Sequence, residues 1–264
     1  MPLEKGSLVL IDLIAKVKDT DKIFDTTIEE AAKKADVYDP AHNYEPRLVS
    51  VGEGWVIKGL DEALTNASSG DKFNIDIAPA KGFGERDHNK VRMIPQRKLG
   101  DKANEIKVGD VIEIDDRAGT IRYIGSGRVQ VDFNHKFAGR TLSYDISIIK
   151  KLESNDDKIM PLIKRRLALD TKNLRTKLDG ELLQIELPEE SFLIEGLQVI
   201  KRAIANDAFK FLEGIKNVKF LETYSLQPTS TSRSTDNLQE KRDESTSSIT
   251  PQAQELESTT KQPG

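Results

Sequence analysis

Cysteine is missing altogether from this chain of 264 residues. That excludes a disulfide framework, a thiolate nucleophile and any cysteine metal site. Histidine occurs only at positions 42, 88 and 135, which are not at metal-ligand spacing. The chain has no His-Glu-x-x-His run, no glycine-rich loop leading into Lys-Ser/Thr and no serine in a Gly-x-Ser-x-Gly elbow. The usual hydrolytic and phosphate-cradling centres are therefore out, and neither a metal nor a cofactor is expected. Long apolar runs are lacking too. The stretch from Met1 to Lys18 is too short in its apolar part for a membrane span and has no small-residue cleavage site, so a cytoplasmic protein without a membrane partner is expected. Neither sign of charge dominates: 40 Lys and Arg are mixed with 44 Asp and Glu, a net charge of −4. No concentrated basic field marks a specific nucleic-acid binder.

Apolar residues make up 37% of the chain and charged residues 32%, proportions that leave part of it as solvated surface. From Gln227 onward Ser, Thr, Gln, Glu and Pro dominate, with Leu238, Ile249 and Leu256 isolated among them. Such a segment cannot bury enough apolar surface to offset its ordering entropy, and 227–264 reads as a disordered tail. Upstream, a run rich in β-branched and aliphatic residues predicts a strand at Leu8–Val17, another is predicted at Leu48–Val51 before Gly52 and Gly54, and period-two alternation predicts a third at Lys72–Ile77. Helical spacing predicts short helices over Thr27–Ala35 and Val56–Leu64. A different texture follows. Val111–Ile114, Thr120–Ile124 and Arg128–Phe133 read as strands, joined by turns at Ala118-Gly119 and Gly125-Ser126-Gly127, a small β unit of its own. Arg140–Lys151 then alternates with Leu142, Tyr144, Ile146 and Ile148 on one face. Beyond Ser154 the pattern is a helix over Asp156–Leu169, with Pro161 in its first turn or breaking it, a strand at Leu182–Leu187, a long helix over Ser191–Leu212 softened at Gly196, and a strand at Val218–Tyr224. That is a small α+β unit.

Four ordered motifs add a resemblance. Ile23-Phe24-Asp25-Thr26-Thr27, the segment from Val51-Gly52 through Val56-Ile57-Lys58-Gly59-Leu60 to Leu64, Gly70-Asp71-Lys72 and Ala80-Lys81-Gly82-Phe83-Gly84 resemble, in that order, landmarks of the FKBP-type peptidyl-prolyl isomerases. Val131-Asp132-Phe133-Asn134-His135-Lys136-Phe137-Ala138-Gly139-Arg140-Thr141-Leu142 is similar to the signature that closes the inserted flap domain of the SlyD-like branch. Residues 155–226 look similar to the C-terminal domain of long archaeal members, where it is linked to dimerisation.

The resemblance implies an α+β fold: an FKBP-like antiparallel sheet wrapped on a short helix, with an inserted small β domain and a C-terminal α+β domain. The implied division is 1–88 plus 133–153 for the isomerase domain, 89–132 for the flap, 154–226 for the C-terminal domain and 227–264 for the tail. It implies catalytic roles for Phe24, Asp25, Phe83 and Tyr144, and a substrate-binding role for Ile14, Val56, Ile57 and Leu60. Ile14 falls where the family usually has a tyrosine, and Phe83 where many members have a second one. It implies client binding by Val91, Met93, Ile94 and Leu99 on the flap. Read without the resemblance, Phe24, Leu60 and Tyr144 are ordinary core residues and Asp25 a turn carboxylate. The implied partners are unfolded or nascent polypeptides containing proline, a second copy of the chain through the C-terminal domain, and the ribosome. Two other readings stand beside isomerase: a holdase or ribosome-associated chaperone with vestigial activity, favoured by Ile14, and a metal-storing protein, disfavoured by a tail without histidine.

Overall fold

The computed structural model of the protein describes residues 2–99, 105–167 and 173–224; the tail expected at 227–264 lies outside them. In chain order the strands and helices are β1 (Leu8–Val17), β2 (Lys22–Thr26), α1 (Glu29–Lys34), β3 (Arg47–Ser50), α2 (Lys58–Thr65) and β4 (Lys72–Ile77). There follow β5 (Val91–Pro95), β6 (Val111–Ile114), β7 (Arg117–Gly125), β8 (Arg128–Asp132) and β9 (Leu142–Leu152). The C-terminal elements are α3 (Asn155–Arg166), β10 (Arg175–Asp179), β11 (Leu182–Leu187), α4 (Leu197–Phe211) and β12 (Asn217–Glu222). The class is α+β, with three sheets.

In the first sheet β1 is central. It pairs with β9 on one side and with both β2 and β3 on the other, and β4 lies outside β9, all antiparallel. The period of two divides β1. Val9, Ile11, Leu13, Ala15 and Val17 are buried on one face, where Leu60 and Leu64 of α2 join Tyr144, Ile146 and Ile148 of β9 in one cluster. The approach of α2 to β4 is close: a Cβ added at Gly59 would stand 2.6 Å from Ile77 Cγ2, so only glycine fits there. The other face carries Leu8, Leu48 and Leu152, which are buried with Ile159, Leu162 and Ile163 of α3 and Leu197 and Ile204 of α4. The C-terminal helices thus lie against the back of the first sheet, and this contact buries apolar residues of both.

The second sheet, ordered β5-β8-β7-β6 and antiparallel throughout, lies in sequence between the adjacent strands β4 and β9. Its core is small: Ile121, Val129 and Val131, flanked by Ile94, Leu99, Ile112, Ile114 and Phe133. The expected turn at Ala118-Gly119 is not there. Both residues lie inside β7, and the hairpin turns three residues earlier, at Asp115 and Asp116, whose φ angles are 51° and 58°. Positive φ at both central residues is what a tight hairpin requires, and Asp tolerates it. Gly119 serves packing instead: a Cβ would meet Val131 Cγ1 at 2.5 Å. The third sheet is β10-β11-β12, with β11 and β12 parallel and connected through α4.

Two further expectations are corrected. Pro161 sits inside α3 and does not end it. An interior proline costs about 3 kcal/mol, and burial of Ile159, Leu162 and Ile163 around it, at about 1.5–3 kcal/mol each, outweighs that cost. The long helix over Ser191–Leu212 is two pieces: a 3-10 turn at Glu189–Leu193 and α4, separated at Gly196, whose φ is 74°.

Candidate active site

The site is assembled where β1 meets β2. Ala15 pairs with Asp25 but Lys16 pairs with Ile23, so Phe24 is the extra residue of a bulge. A bulge re-aims side chains. Here Asp25 stands in one row with Ala15 and, across β1, with Tyr144, while Phe24 packs on the same cluster. The Phe24 and Tyr144 rings meet edge-on, centroids 6.2 Å apart at 85°. Phe137 completes the group, 4.3 Å from Phe24 and 5.6 Å from Phe83. The outer side of Phe83 is stacked by His135 at 4.1 Å and 14°. Tilted and edge-on arrangements are the favourable geometries for such rings. Leu60 lies buried beneath, and Val56 and Ile57 pack half-buried on the same cluster.

Polar groups edge this apolar wall. Arg47 grips Asp25 with both branches of its fork, Nη1 to Oδ2 at 2.7 Å and Nη2 to Oδ1 at 2.9 Å, a bidentate, charge-assisted pair. Hydrogen bonding to Asp25 raises the Arg47 pKa further, against the opposing effect of its burial. Burial pushes the Tyr144 phenol up to about 12, and the Asp25 carboxylate adds to the effect, so this hydroxyl keeps its proton and remains a donor. It makes no hydrogen bond to another described residue. Ile57 is the extended residue before α2, with φ −60° and ψ 148°. Its carbonyl accepts from the Leu60 and Asp61 amides, each at 3.0 Å, and its own N–H has no partner among the described residues. The Asp61 carboxylate holds the preceding loop by accepting from the Gly52 and Gly54 amides at 2.8 and 3.0 Å.

A short-type peptidyl-prolyl cis-trans isomerase of Methanocaldococcus jannaschii is 34% identical over 146 residues, which span 55% of this chain and 92% of that one. The chain belongs to the FKBP-type peptidyl-prolyl cis-trans isomerase family. The model of that family described as FKBP-type peptidyl-prolyl cis-trans isomerase matches residues 2–100, and the models described as FKBP26, IF domain and FKBP26 C-terminal match 92–137 and 155–225. A probable FKBP-type 16 kDa isomerase of Pseudomonas fluorescens is 29% identical over 122 residues, 44% of this chain and 80% of that one. The SlyD isomerase of Treponema pallidum is 30% identical over 118 residues, 43% of this chain and 66% of that one. This FKBP is an enzyme of the peptidyl-prolyl cis-trans isomerase class.

Of the residues expected to form the prolyl site of this FKBP, the fold brings together Phe24, Asp25, Leu60, Phe83 and Tyr144, with Val56 and Ile57 packed on the same cluster. Ile14 is not among them. It pairs with Thr26 and Asp145, so it lies on the face of β1 opposite Leu13 and Ala15, because a strand turns successive side chains to opposite sides. The position beside Tyr144 and Asp25 is Ala15, fully buried. Sequence reasoning missed Arg47, Phe137 and His135. Phe137 and His135 stood inside the motif that ends the insertion, and Arg47 opens the strand after Glu45-Pro46.

The four residues expected to bind clients divide. Met93 is exposed and Val91 half-buried, whereas Ile94 and Leu99 pack into the core of the inserted sheet; so small a sheet has few other residues to fill it. Where the insertion joins the isomerase body, buried Asp132 accepts from Arg86 at 2.7 Å, Arg122 at 3.3 Å and both the backbone and side chain of Asn134. Burial alone raises its pKa, but those donors outweigh burial and hold the carboxyl below its ordinary range. Asn134 also bonds the Asp87 backbone in both directions, so the segments that enter and leave the insertion are tied together.

Proposed function

We propose that this isomerase turns X-Pro bonds in unfolded and partly folded chains by seating the proline ring against Phe24, Phe83, Phe137 and Tyr144. The rotational barrier, about 20 kcal/mol, comes from amide resonance. Resonance places charge on the imide oxygen and nitrogen, and the twisted state loses much of it. A dry aromatic wall suits the twisted form better than the planar one, which is differential binding without covalent chemistry. The Ile57 N–H and the Tyr144 hydroxyl are donors without partners among the described residues, fit to hold the substrate backbone. Asp25, locked by Arg47, contributes a fixed negative field and no proton transfer. The observation that carries this reading is the aromatic group beside the bidentate Asp25–Arg47 pair.

A protease-coupled assay on a short proline peptide tests it. Phe24→Ala and Phe83→Ala are expected to lower kcat/KM at least about tenfold each, equivalent to roughly 1.4 kcal/mol, with the fold retained by circular dichroism. Unchanged turnover in both variants overturns the reading.

The inserted sheet supports a chaperone role for the same protein. Met93, Val111 and Tyr123 stand exposed on it, and exposed apolar side chains of this kind suit extended, unfolded clients. The reading as a holdase with vestigial activity drew on Ile14, and that support is gone because Ile14 faces away from the site. A homodimer through the C-terminal helices is part of the proposal, with Leu193 and Val199 the exposed apolar residues available there; light scattering on the full chain checks it. No helix among the described residues is long and apolar enough to cross a membrane; the proposed place of work is the cytoplasm, on ribosome-bound or released chains.

A further inference from the structure

Trp55, the only tryptophan of the chain, is held by two different parts of the molecule. One side of it packs with the cluster of Leu60 and Tyr144, and another with the cluster of α3 and α4. The Arg165 guanidinium of α3 lies over its ring, 3.6 Å from the centroid, close enough for a strong cation–π contact. Phe211 of α4 meets it edge-on at 5.4 Å and 81°. Arg165 is itself steered by Asp207, 3.6 Å away and buried. Two ion pairs repeat the connection, Lys210 with Glu53 and Lys164 with Glu45. Glu53 and Trp55 flank Gly54, whose amide Asp61 holds, and the residues after Trp55 are Val56 and Ile57. The back of the substrate loop therefore rests on α3 and α4.

We propose that Trp55 is a positioning residue: clamped by Arg165 and Phe211, it fixes the loop that presents Val56 and the Ile57 N–H, so the C-terminal helices set how tightly the prolyl site holds substrate. The inference rests on the isomerase reading. A loop fixed at both ends loses little freedom when substrate binds, and preorganisation of that kind appears mainly in affinity. Releasing the clamp accordingly raises KM more than it lowers kcat. Because the clamp leads directly into the pocket, occupancy of the pocket is felt at the indole.

The experiment uses the full chain. Wild type, Arg165→Met, Phe211→Leu and Trp55→Phe are compared in the peptide assay, with Lys201→Met as a control. Lys201, on the same helix α4 as Phe211, pairs with Glu222 of β12 and has no ion pair or ring contact with Trp55, so it reports on general loosening of the C-terminal part. Arg165→Met and Phe211→Leu are expected to raise KM about threefold or more, with kcat within twofold and helix content kept, while Lys201→Met leaves KM unchanged. In parallel, tryptophan emission of wild type is followed while a proline tetrapeptide is titrated; a saturable shift is expected, and a smaller one in Arg165→Met. Equal KM values in wild type and both clamp variants, or a control that raises KM as much as they do, overturn the clamp, as does emission that ignores saturating peptide. A wild type that binds peptide but does not isomerise it sinks the isomerase reading instead, and the emission titration still judges the clamp.

Discussion

Arg47 is the residue whose loss most directly tests how the site is built. It meets Asp25 through two hydrogen bonds, and Met in its place keeps the bulk of the stem but frees the carboxylate. Arg47→Met is expected to lower kcat/KM about tenfold, roughly 1.4 kcal/mol, with little change in melting temperature, because the pair is partly exposed and such pairs add little to stability. Asp132 is the opposite case. Its pKa is lowered in the folded state, so its contribution is present above the ordinary carboxylate range and drains away as pH falls below that range and through the lowered native value. Asp132→Asn is expected to cost about 1–3 kcal/mol near neutrality and to flatten the acid limb of a melting-temperature profile below about pH 4. The side chains of the aromatic wall were legible because they stand in motifs. Arg47 was not, because its role depends on β3 pairing with the same strand as β2, a juxtaposition no local pattern announces. Ile14 was misassigned by one residue: the spacing to Phe24 crosses a bulge, and a bulge shifts the register by one.

Among the elements, those with strong aliphatic content or periodicity were readable: β1, β4, β9, β11 and α4 fall close to where aliphatic runs, alternation or helical spacing put them. The short strands β2, β5 and β10 were not. β10 mixes charges with a single leucine, β5 is only five residues long and ends in proline, and β2 is half spent on the bulge. Gly119 misled because a glycine demanded by a close side-chain approach looks the same in sequence as one demanded by a turn. Gly119→Ala is therefore expected to destabilise, by about 1–3 kcal/mol from overpacking against Val131, where a turn glycine of ordinary φ would tolerate alanine; thermal melting decides it. Pro161 inside α3 leads to the reverse expectation. Pro161→Ala restores a backbone hydrogen bond and is expected to raise stability by about 1–3 kcal/mol, read as a higher denaturation midpoint with an unchanged slope. For the inserted sheet, replacing 90–131 by a short glycine linker is expected to spare turnover of a short peptide and to weaken catalysis of a proline-limited refolding reaction. Equal loss in both assays removes the division of labour between the two sheets.

At the scale of the whole molecule, the first sheet is sandwiched between its own helix α2 and the C-terminal helices. Leu8, Leu48 and Leu152 lie on the C-terminal side. A chain ending at Glu153 bares all three, together with one side of Trp55. It is expected to lose about 4 kcal/mol or more, since each buried leucine contributes about 1.5–3 kcal/mol, and to aggregate at concentrations where the full chain is clear by light scattering. That dependence was hidden in the sequence, where the odd and even positions of β1 both read as apolar without saying that two different partners cover them.

The pairing of β4 with β9 has a mechanical consequence. Ile77 lies opposite Leu142, and the inserted sheet leaves from that end of both strands. Under the proposed client binding, a chain pulling on the insertion would load the ladder like a zipper drawn from its open end, one rung at a time, and not in shear along its length. Two rungs in, Ile75 faces Tyr144, so tension on a polypeptide held there would reach the aromatic wall early, and under this proposal a taut client would loosen its own prolyl seat.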